Sequence, residues 1–278
     1  MPYKDILVHV DGSKSCASRI ELAASMARAQ NAHLIGLFIA SNPEVPEFVQ
    51  AMMGQQVQDV QAKYLKEATA AAQTLFEGIA KSAGVAMEWR AVEGHPVEQL
   101  SLHGRYADLV VVGQRDTSSG AEAASIDIAD ELVFELGRPV MVVPYTGNFK
   151  KVGERIMVAW NASRESTRAV GDTVPVLRDA KQVIVLAINP KGGRNGHGAV
   201  PGADIAQHLA RHGAKAEAQH VFAEDVDVGN MLLSRAADEN VDLIVMGCYG
   251  RSRLREMVLG GATRHILKHM TVPVIMSH

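Results

Sequence analysis

Val241–Ser277, VDLIVMGCYGRSRLREMVLGGATRHILKHMTVPVIMS, decides how the rest of the chain is read. Its pattern predicts a strand over Leu243–Met246, a glycine-punctuated loop over Gly247–Leu259, a short helix opened by Gly260-Gly261, and a closing strand around Val272–Met276. A strand that feeds a glycine-rich loop and then a helix N-terminus is a recurring way to hold phosphate. Backbone N–H groups converge on the anion, and the helix end carries about half a positive charge. The spacing Gly247-x2-Gly250-x9-Gly260 matches neither the Walker pattern nor the dinucleotide fingerprint. Between Gly247 and Pro273, Arg251, Arg253, Arg255, Arg264 and Lys268 stand against Glu256, a local net of +4 in a chain whose formal net is −3. A basic, solvated loop between a buried strand and a helix would look the same.

Working outward, the same arrangement occurs twice. In the first half, Ile6–Val10 ends in Asp11-Gly12-Ser13 and leads into a helical pattern running to about Gln30. Ala32–Ala40, Val85–Val92, Asp108–Gly113 and Val140–Val143 read as four further strands. In the second half, Ile156–Trp160 meets Asn161-Ala162-Ser163 and a helical pattern to about Asp179, with Pro175 as an expected kink. Val183–Ile188, Ala214–Val221, Asp242–Gly247 and Val274–Met276 complete the second set. The first strand recurs at an offset of 150 (Asp11 to Asn161), the fourth and fifth at an offset of 134 (Gly113 to Gly247, Pro139 to Pro273). The difference of 16 residues falls to Pro43–Gly84, a long Ala/Gln-rich helical pattern without a counterpart. Its apolar stripe of Phe48, Met52, Met53, Val57 and Val60 fits core packing or a subunit contact, and a lid over the first-half cleft is the alternative.

Strands that are apolar throughout, alternating with amphipathic helices, indicate an α/β fold whose parallel sheet is covered on both faces. Ligands of such sheets bind beyond the carboxyl ends of the strands, at a topological switch point. Asp11, Asn161 and both glycine segments follow carboxyl ends. At 278 residues the chain is about two domains long. No apolar run approaches a membrane span, and no cationic-then-apolar leader follows Met1, so a cytoplasmic address without membrane attachment is the expectation. Two distant cysteines, Cys16 and Cys248, fit a reducing compartment, and a pI near 6.4 argues against nucleic acid as the partner.

VDGS after the first strand, DLIVMG before the loop, the Gly-x2-Gly-x9-Gly spacing and the final VPV strand together resemble the universal stress protein family. The chain looks like a tandem member with domains at 1–146 and 152–278, joined by Thr146–Val152. The resemblance implies two five-stranded, Rossmann-like parallel-sheet domains, a role in stress response, and in some members an ATP site. By resemblance, Ala159 and Asn161 would face base and ribose, and Ile188 would cover the adenine. Gly247, Gly250, Gly260, Gly261, Ala262 and Thr263 would wrap the phosphates of ATP, with magnesium where it is bound. Family members that bind ATP usually carry Ser or Thr after the third glycine, where this chain has Gly261. An Asp often ends the first strand, where the second half has Asn161. Asn161 has a second reading, as a cap of the helix that follows.

The segments Gly113–Pro139 and Gly247–Pro273 have equal length and can be compared position by position. Asp116 stands for Gly250, Ile126 for Gly260, Asp127 for Gly261, Ala129 for Thr263 and Asp130 for Arg264. The first-half segment has a net of −4. Carboxylates where phosphate oxygens would lie repel a triphosphate by roughly 1 kcal/mol or more each. The first half is therefore expected to have lost the phosphate site and the second to have kept it.

Other candidates have plainer readings. His208/His212 and His265/His269 have a spacing that can chelate a metal but lack the HExxH glutamate, and read as surface histidines. His9 reads as a hydrogen-bonded core histidine, Cys248 as a small packing residue rather than an activated thiol, and Ser13 as a helix cap. No Ser–His–acid order, carboxylate pair or metal set supports a dedicated enzyme, and a slow ATP hydrolysis would lack a base. A non-binding scaffold is the rival to the nucleotide reading. The halves are expected to pack as a pseudo-dimer within the chain, and a homodimer through the fifth strand is a further expectation.

Overall fold

The computed structural model describes residues 1–40, 47–116, 128–190, 200–223, 225–248 and 261–278, with the side chains of 47–53, 56 and 57 outside that description. The first half runs β1 (Asp5–Val10), α1 (Cys16–Gln30), β2 (His33–Ala40), α2 (Glu47–Ala83), β3 (Met87–Glu93), α3 (Pro96–Gly104), β4 (Leu109–Gly113), α4 (Ile128–Glu135) and β5 (Val140–Val143). The second half runs β6 (Arg155–Ala159), α5 (Arg164–Asp179), β7 (Gln182–Ile188), α6 (Ala203–Arg211), β8 (Ala216–Val221), α7 (Val228–Asp238), β9 (Leu243–Gly247), α8 (Gly261–His269) and β10 (Val274–Ser277). Each expected strand is present, with ends shifted by one or two residues.

The strands form one ten-stranded sheet in the order β3-β2-β1-β4-β5-β10-β9-β6-β7-β8. Every pairing inside a half is parallel. The halves meet through β5 and β10, which run antiparallel in the register Val142 to Val274, Met141 to Ile275 and Val140 to Met276. The fifth strands are thus consumed inside the chain, which removes the edge that the homodimer expectation relied on. The outer strands of the sheet are β3 and β8. Additional bonds cross the seam: Gln114 Nε2 donates to the Leu267 carbonyl at 2.8 Å, and Tyr3 Oη to the Asp172 carbonyl at 2.9 Å.

The central strands are buried on both sides because their residues are apolar without alternation. Val140–Val143 and Val274–Ser277 are buried at every position. A repeated device fixes where the first strand of each half begins. The Asp108 carboxylate accepts from the Lys4 and Asp5 N–H groups, and Asp242 accepts from those of Gly153, Glu154 and Arg155.

The extra length of the first half lies in the 37-residue α2, which is not without a counterpart as the sequence suggested: α6, nine residues long, holds the same place between the second and third strands of the second half. The second part of α2 is core. Phe76 is fully buried over Gly36 of β2, where a Cβ would lie 2.7 Å from the ring, and it packs at a tilt of 35° against Trp89, 5.6 Å between ring centroids. Burying such a ring contributes roughly 1.5–3 kcal/mol. Of the apolar stripe read from the sequence, only Val60 has a described side chain, and it is 69% exposed. Pro175 sits inside α5, where its missing N–H leaves the Gly171 carbonyl without a helical donor.

In each half the chain lays down three strands to one side and then crosses back, so strand order reverses between β1 and β4 and between β6 and β9. Those two reversals open crevices at the carboxyl ends of the strands.

Candidate functional site

At the second reversal, β6 ends in a turn held by its own side chains. Asn161 Oδ1 accepts from the Ser163 N–H at 3.1 Å. Ser163 then caps α5 through a reciprocal box with Ser166: each serine hydroxyl accepts from the other residue's N–H at 3.1 Å. Capping is therefore the work of Ser163. Asn161 is exposed, and its amide nitrogen has no partner among the described residues. Between the two, Ala162 takes φ +57°, the left-handed region.

Across the crevice, β9 ends at Gly247, whose absent side chain has a packing cause. A Cβ there would collide with the backbone of Glu165 and Ser166 in the first turn of α5. The carbonyl oxygen of Glu165 would lie only 2.7 Å away. Glycine at 247 lets α5 lie directly on β9, whatever the crevice holds. The chain then enters α8 at Gly261, whose Cβ position faces open space. The first N–H groups of a helix have no intrahelical acceptor. In α8 no acidic residue occupies the first turn, while Lys268 and His269 lie in the last. The positive end of this helix has no carboxylate of its own in that turn.

These elements enclose a cavity of about 220 Å³. Its apolar walls are Ala159, Leu186, Ile188, Val228, Leu232 and Met246. Its polar rim is Asn161 and the α8 entry of Gly261, Ala262 and Thr263, with Gly247 and Trp160 between. Seven of the residues expected to face a nucleotide (Ala159, Asn161, Ile188, Gly247, Gly261, Ala262, Thr263) thus line one hollow. Gly250 and Gly260, with Arg251, Arg253, Arg255 and Glu256, lie outside the described residues. Larger clefts of about 590 and 410 Å³ run along α2. The first is bounded mainly by that helix's own side chains; the second lies at the first strand reversal, between α2 and the Asp11–Ser13 turn with Phe38 and Ile39 of β2, whereas the smaller cavity joins its apolar wall to the α8 entry at the second reversal.

Sequence reasoning left out the wall residues Leu186, Val228, Leu232 and Met246. Leu186 was within reach, being two residues before Ile188 and so on the same face of β7. Val228 and Leu232 lie four apart on α7, and Asp227 caps that helix by accepting from Gly229 and Asn230 at 2.9 and 3.2 Å. The cap was recognisable as Asp before an apolar-periodic stretch.

The first reversal is built from other side chains. The Asp11 carboxylate closes the same kind of turn, accepting from the Ser13 N–H at 2.9 Å and its hydroxyl at 2.6 Å. Ser13 therefore does not cap α1, as its sequence position suggested; its hydroxyl belongs to Asp11. The second Asp11 oxygen pairs with Arg19 Nη2 at 2.8 Å. Arg19, 1% exposed, also donates Nε to the His9 carbonyl at 2.9 Å. Its guanidinium fills the space beside Gly113, where a Cβ would strike Nη1. Burial raises the Asp11 carboxyl, but Arg19, His9 and the two Ser13 bonds outweigh it and hold the group well below the usual carboxylate range. His9 is a core residue, 7% exposed, but the hydrogen bond expected of it is not seen among the described residues: Nδ1 lies 3.7 Å from Asp11, and its pKa is lowered to about 4, chiefly by burial and against the pull of Asp11.

Where Ala159, Trp160 and Ile188 are half-buried, their counterparts His9, Val10 and Ile39 are buried. The first turn of α4 carries Asp130 and Glu131, so that helix supplies its own negative charge. Asp127 lies outside the described residues.

Cys248 is fully buried, and burial, with Asp130 and Glu165 adding, pushes its thiol far up, away from activation. The histidine pairs stack on their own helices, 4.7 Å between the rings of His208 and His212 and 4.5 Å between those of His265 and His269. No group of three or more metal-ligating residues occurs among the described residues. No described helix is long and apolar enough to cross a membrane.

Comparison with known proteins agrees with this architecture. A universal stress protein from Archaeoglobus fulgidus superposes with a TM-score of 0.72 at 14% identity, over 98% of this chain and 95% of that one. The functionally unknown protein PA1789 from Pseudomonas aeruginosa superposes at 0.58 and 12% identity, over 99% and 92%. Universal stress protein MJ0577 of Methanocaldococcus jannaschii is 42% identical over 41 residues, 15% of this chain and 25% of that relative's length. The family model of the universal stress proteins matches twice, at residues 2–144 and 153–278. Two matches that together span nearly all of a doubled α/β chain make this protein a member of the universal stress protein family.

Proposed function

We propose that the second half, residues 152–278, binds an adenine nucleotide such as ATP as a regulatory ligand, and that the first half, residues 1–146, is a degenerate copy that does not. The observation that carries this reading is the 220 Å³ cavity joining an apolar wall to the N-terminus of α8, whose first turn carries no acidic residue. An adenine ring suits the wall of Ala159, Ile188 and Met246, and phosphate suits the α8 amides. Gly247, Gly250 and Gly260 complete the loop in this reading, and bound magnesium would neutralise phosphate charge. Occupancy would then alter how the protein packs against itself or a partner in the cytoplasm during stress. At the first reversal a fixed ion pair and the acids of α4 oppose the same ligand.

The test is calorimetry of the full chain with ATP, alongside Gly261→Asp, which carries the first-half residue into the second half. The Cβ at 261 faces open space and a carboxylate suits a helix N-terminus, so the variant should melt at the same temperature or higher. Its affinity for ATP should fall at least about tenfold. Absence of saturable binding to the wild-type chain, or undiminished binding to the variant, refutes the proposal.

A further inference from the structure

Asp11 and Asn161 occupy matching places in the turns at the two strand reversals, and their side chains differ in one terminal atom. In both, one side-chain oxygen accepts the N–H two residues on: Asp11 Oδ1 from Ser13 at 2.9 Å, Asn161 Oδ1 from Ser163 at 3.1 Å. That bond fixes which end of the Asn161 amide is oxygen, because only oxygen can accept. The remaining atom is a carboxylate oxygen in Asp11 and an NH2 group in Asn161. In the first half that oxygen is neutralised by Arg19 at 2.8 Å. The position matching Arg19 is Ala169, buried and without charge, so a carboxylate at 161 would have no such cation.

Asn161 lines the same cavity as the apolar wall and the α8 entry. A ligand with its base on the wall and its 5′-phosphate at the helix places its sugar beside residue 161. A carboxylate there accepts hydrogen bonds from both hydroxyls of a free ribose diol and repels any phosphate on them. An NH2 group can only donate, so it favours a sugar edge that offers acceptor oxygens. A phosphate ester oxygen is the strongest acceptor such an edge can carry.

We infer that Asn161 sets the sugar-edge specificity of the cavity, selecting adenine nucleotides that carry a phosphate ester on the ribose 2′ or 3′ oxygen over those with a free diol. The inference rests on the nucleotide reading above and adds to it a preference that the base and the α8 end do not determine. Asn161 acts as a binding residue through Nδ2, and Ser163 keeps its amide from turning over.

The experiment is calorimetry of the full chain with adenosine 5′-monophosphate and adenosine 3′,5′-bisphosphate, for the wild type, Asn161→Ala and Asn161→Asp. Asp can close the same turn, as Asp11 shows, so equal melting temperatures for wild type and Asn161→Asp certify the fold. The wild type should bind the bisphosphate about five- to tenfold tighter than the monophosphate, a little less than one charge-assisted hydrogen bond contributes when shielded from water, because Asn161 is exposed. The Asn161→Ala variant retains any general gain from the added charge, so its ratio should fall about fivefold below that of the wild type. In Asn161→Asp the preference should reverse in favour of the free diol. If both ligands bind but the three proteins share one ratio, the specificity inference is overturned while the nucleotide reading stands. If neither ligand nor ATP binds the wild type, both fall together.

Discussion

The reversals between β1 and β4 and between β6 and β9 occupy equivalent places in two copies of one fold, yet they manage charge in opposite ways. At the first, the protein supplies both partners: Asp11 is matched by Arg19, and the entry to α4 by Asp130 and Glu131. At the second, Asn161 and Ala169 stand in place of the ion pair, and the first turn of α8 carries no acid. On the reading proposed above, the crevice whose charges are matched internally belongs to the scaffold and the one without them takes the ligand. The lesson is physical: duplicating a fold duplicates the strand reversal, and a few charged positions decide what charge each crevice presents, since both reversals border a cavity.

The largest effect that separates the two follows from the ion pair. Asp11→Ala leaves the Arg19 guanidinium, with a side chain 2% exposed, without its carboxylate partner, and should cost about 3–5 kcal/mol. Asn161→Ala removes one turn bond at an exposed residue and should cost less than about 1 kcal/mol. Each half carries one tryptophan, Trp89 and Trp160, so urea unfolding of Trp160→Phe and Trp89→Phe backgrounds follows the halves separately. Equal costs at the two sites would mean that the buried pair is not what holds the first reversal together.

Much of this arrangement is legible in the sequence, and the parts that are not share a cause. The strands announce themselves because Leu109–Gly113 or Gln182–Ile188 must be apolar on both faces, a property of consecutive residues. The start of α8 at Gly261 and the long α2 are equally local. Arg19 escaped because it looks like one solvated cation in an ordinary helix. Its spacing from Cys16, Ile20 and Ala23 does put it on the buried stripe of α1, but its partners Asp11, His9 and Gly113 come from three other segments. The pairing of β5 with β10 is likewise silent in the sequence, because a strand edge suited to a second chain is equally suited to the second half of the same chain. The wall contributed by α7 needed the tertiary fold to bring Val228 and Leu232 over Met246.

Acid separates the halves by a smaller amount. The His9 pKa falls from 6.5 to about 4 on folding, so between those values the unfolded chain binds the extra proton. Stability from this residue is complete above pH 6.5 and drains away as pH drops toward 4, by on the order of 3 kcal/mol in all. Asp11, whose carboxyl is depressed below 3.8 by the partners that outweigh burial, contributes in a separate window at still lower pH. Ala159 holds the place of His9 in the second half, so this component should be missing there. Following Trp89 through urea unfolding at pH 7 and pH 4.5 should show the loss, and His9→Gln should flatten it. A wild-type first half equally stable at both values would show that His9 takes up its proton in the folded state without penalty.

The smallest expected difference lies in the turns themselves. Ala162 sits at φ +57°, where a Cβ crowds the backbone at a cost of about 1 kcal/mol, while the matching residue, Gly12, takes no positive φ and has open space around its Cβ position. The residues are thus exchanged relative to what the backbone prefers at each site. Ala162→Gly should relieve strain and stabilise the second half by up to about 1 kcal/mol, less whatever the freer unfolded chain takes back, and Gly12→Ala should stabilise the first by about 0.4–1 kcal/mol. Both are read as shifts in the urea midpoint of the half concerned. Ala162 also separates Asn161 from Ser163, so the same variant reports on the open crevice. If the strained turn exists to hold the Asn161 amide toward the cavity, Ala162→Gly gains stability and loses nucleotide affinity together. Gly12→Ala, beside an Asp11 already tied to Arg19, should gain stability with no effect on binding.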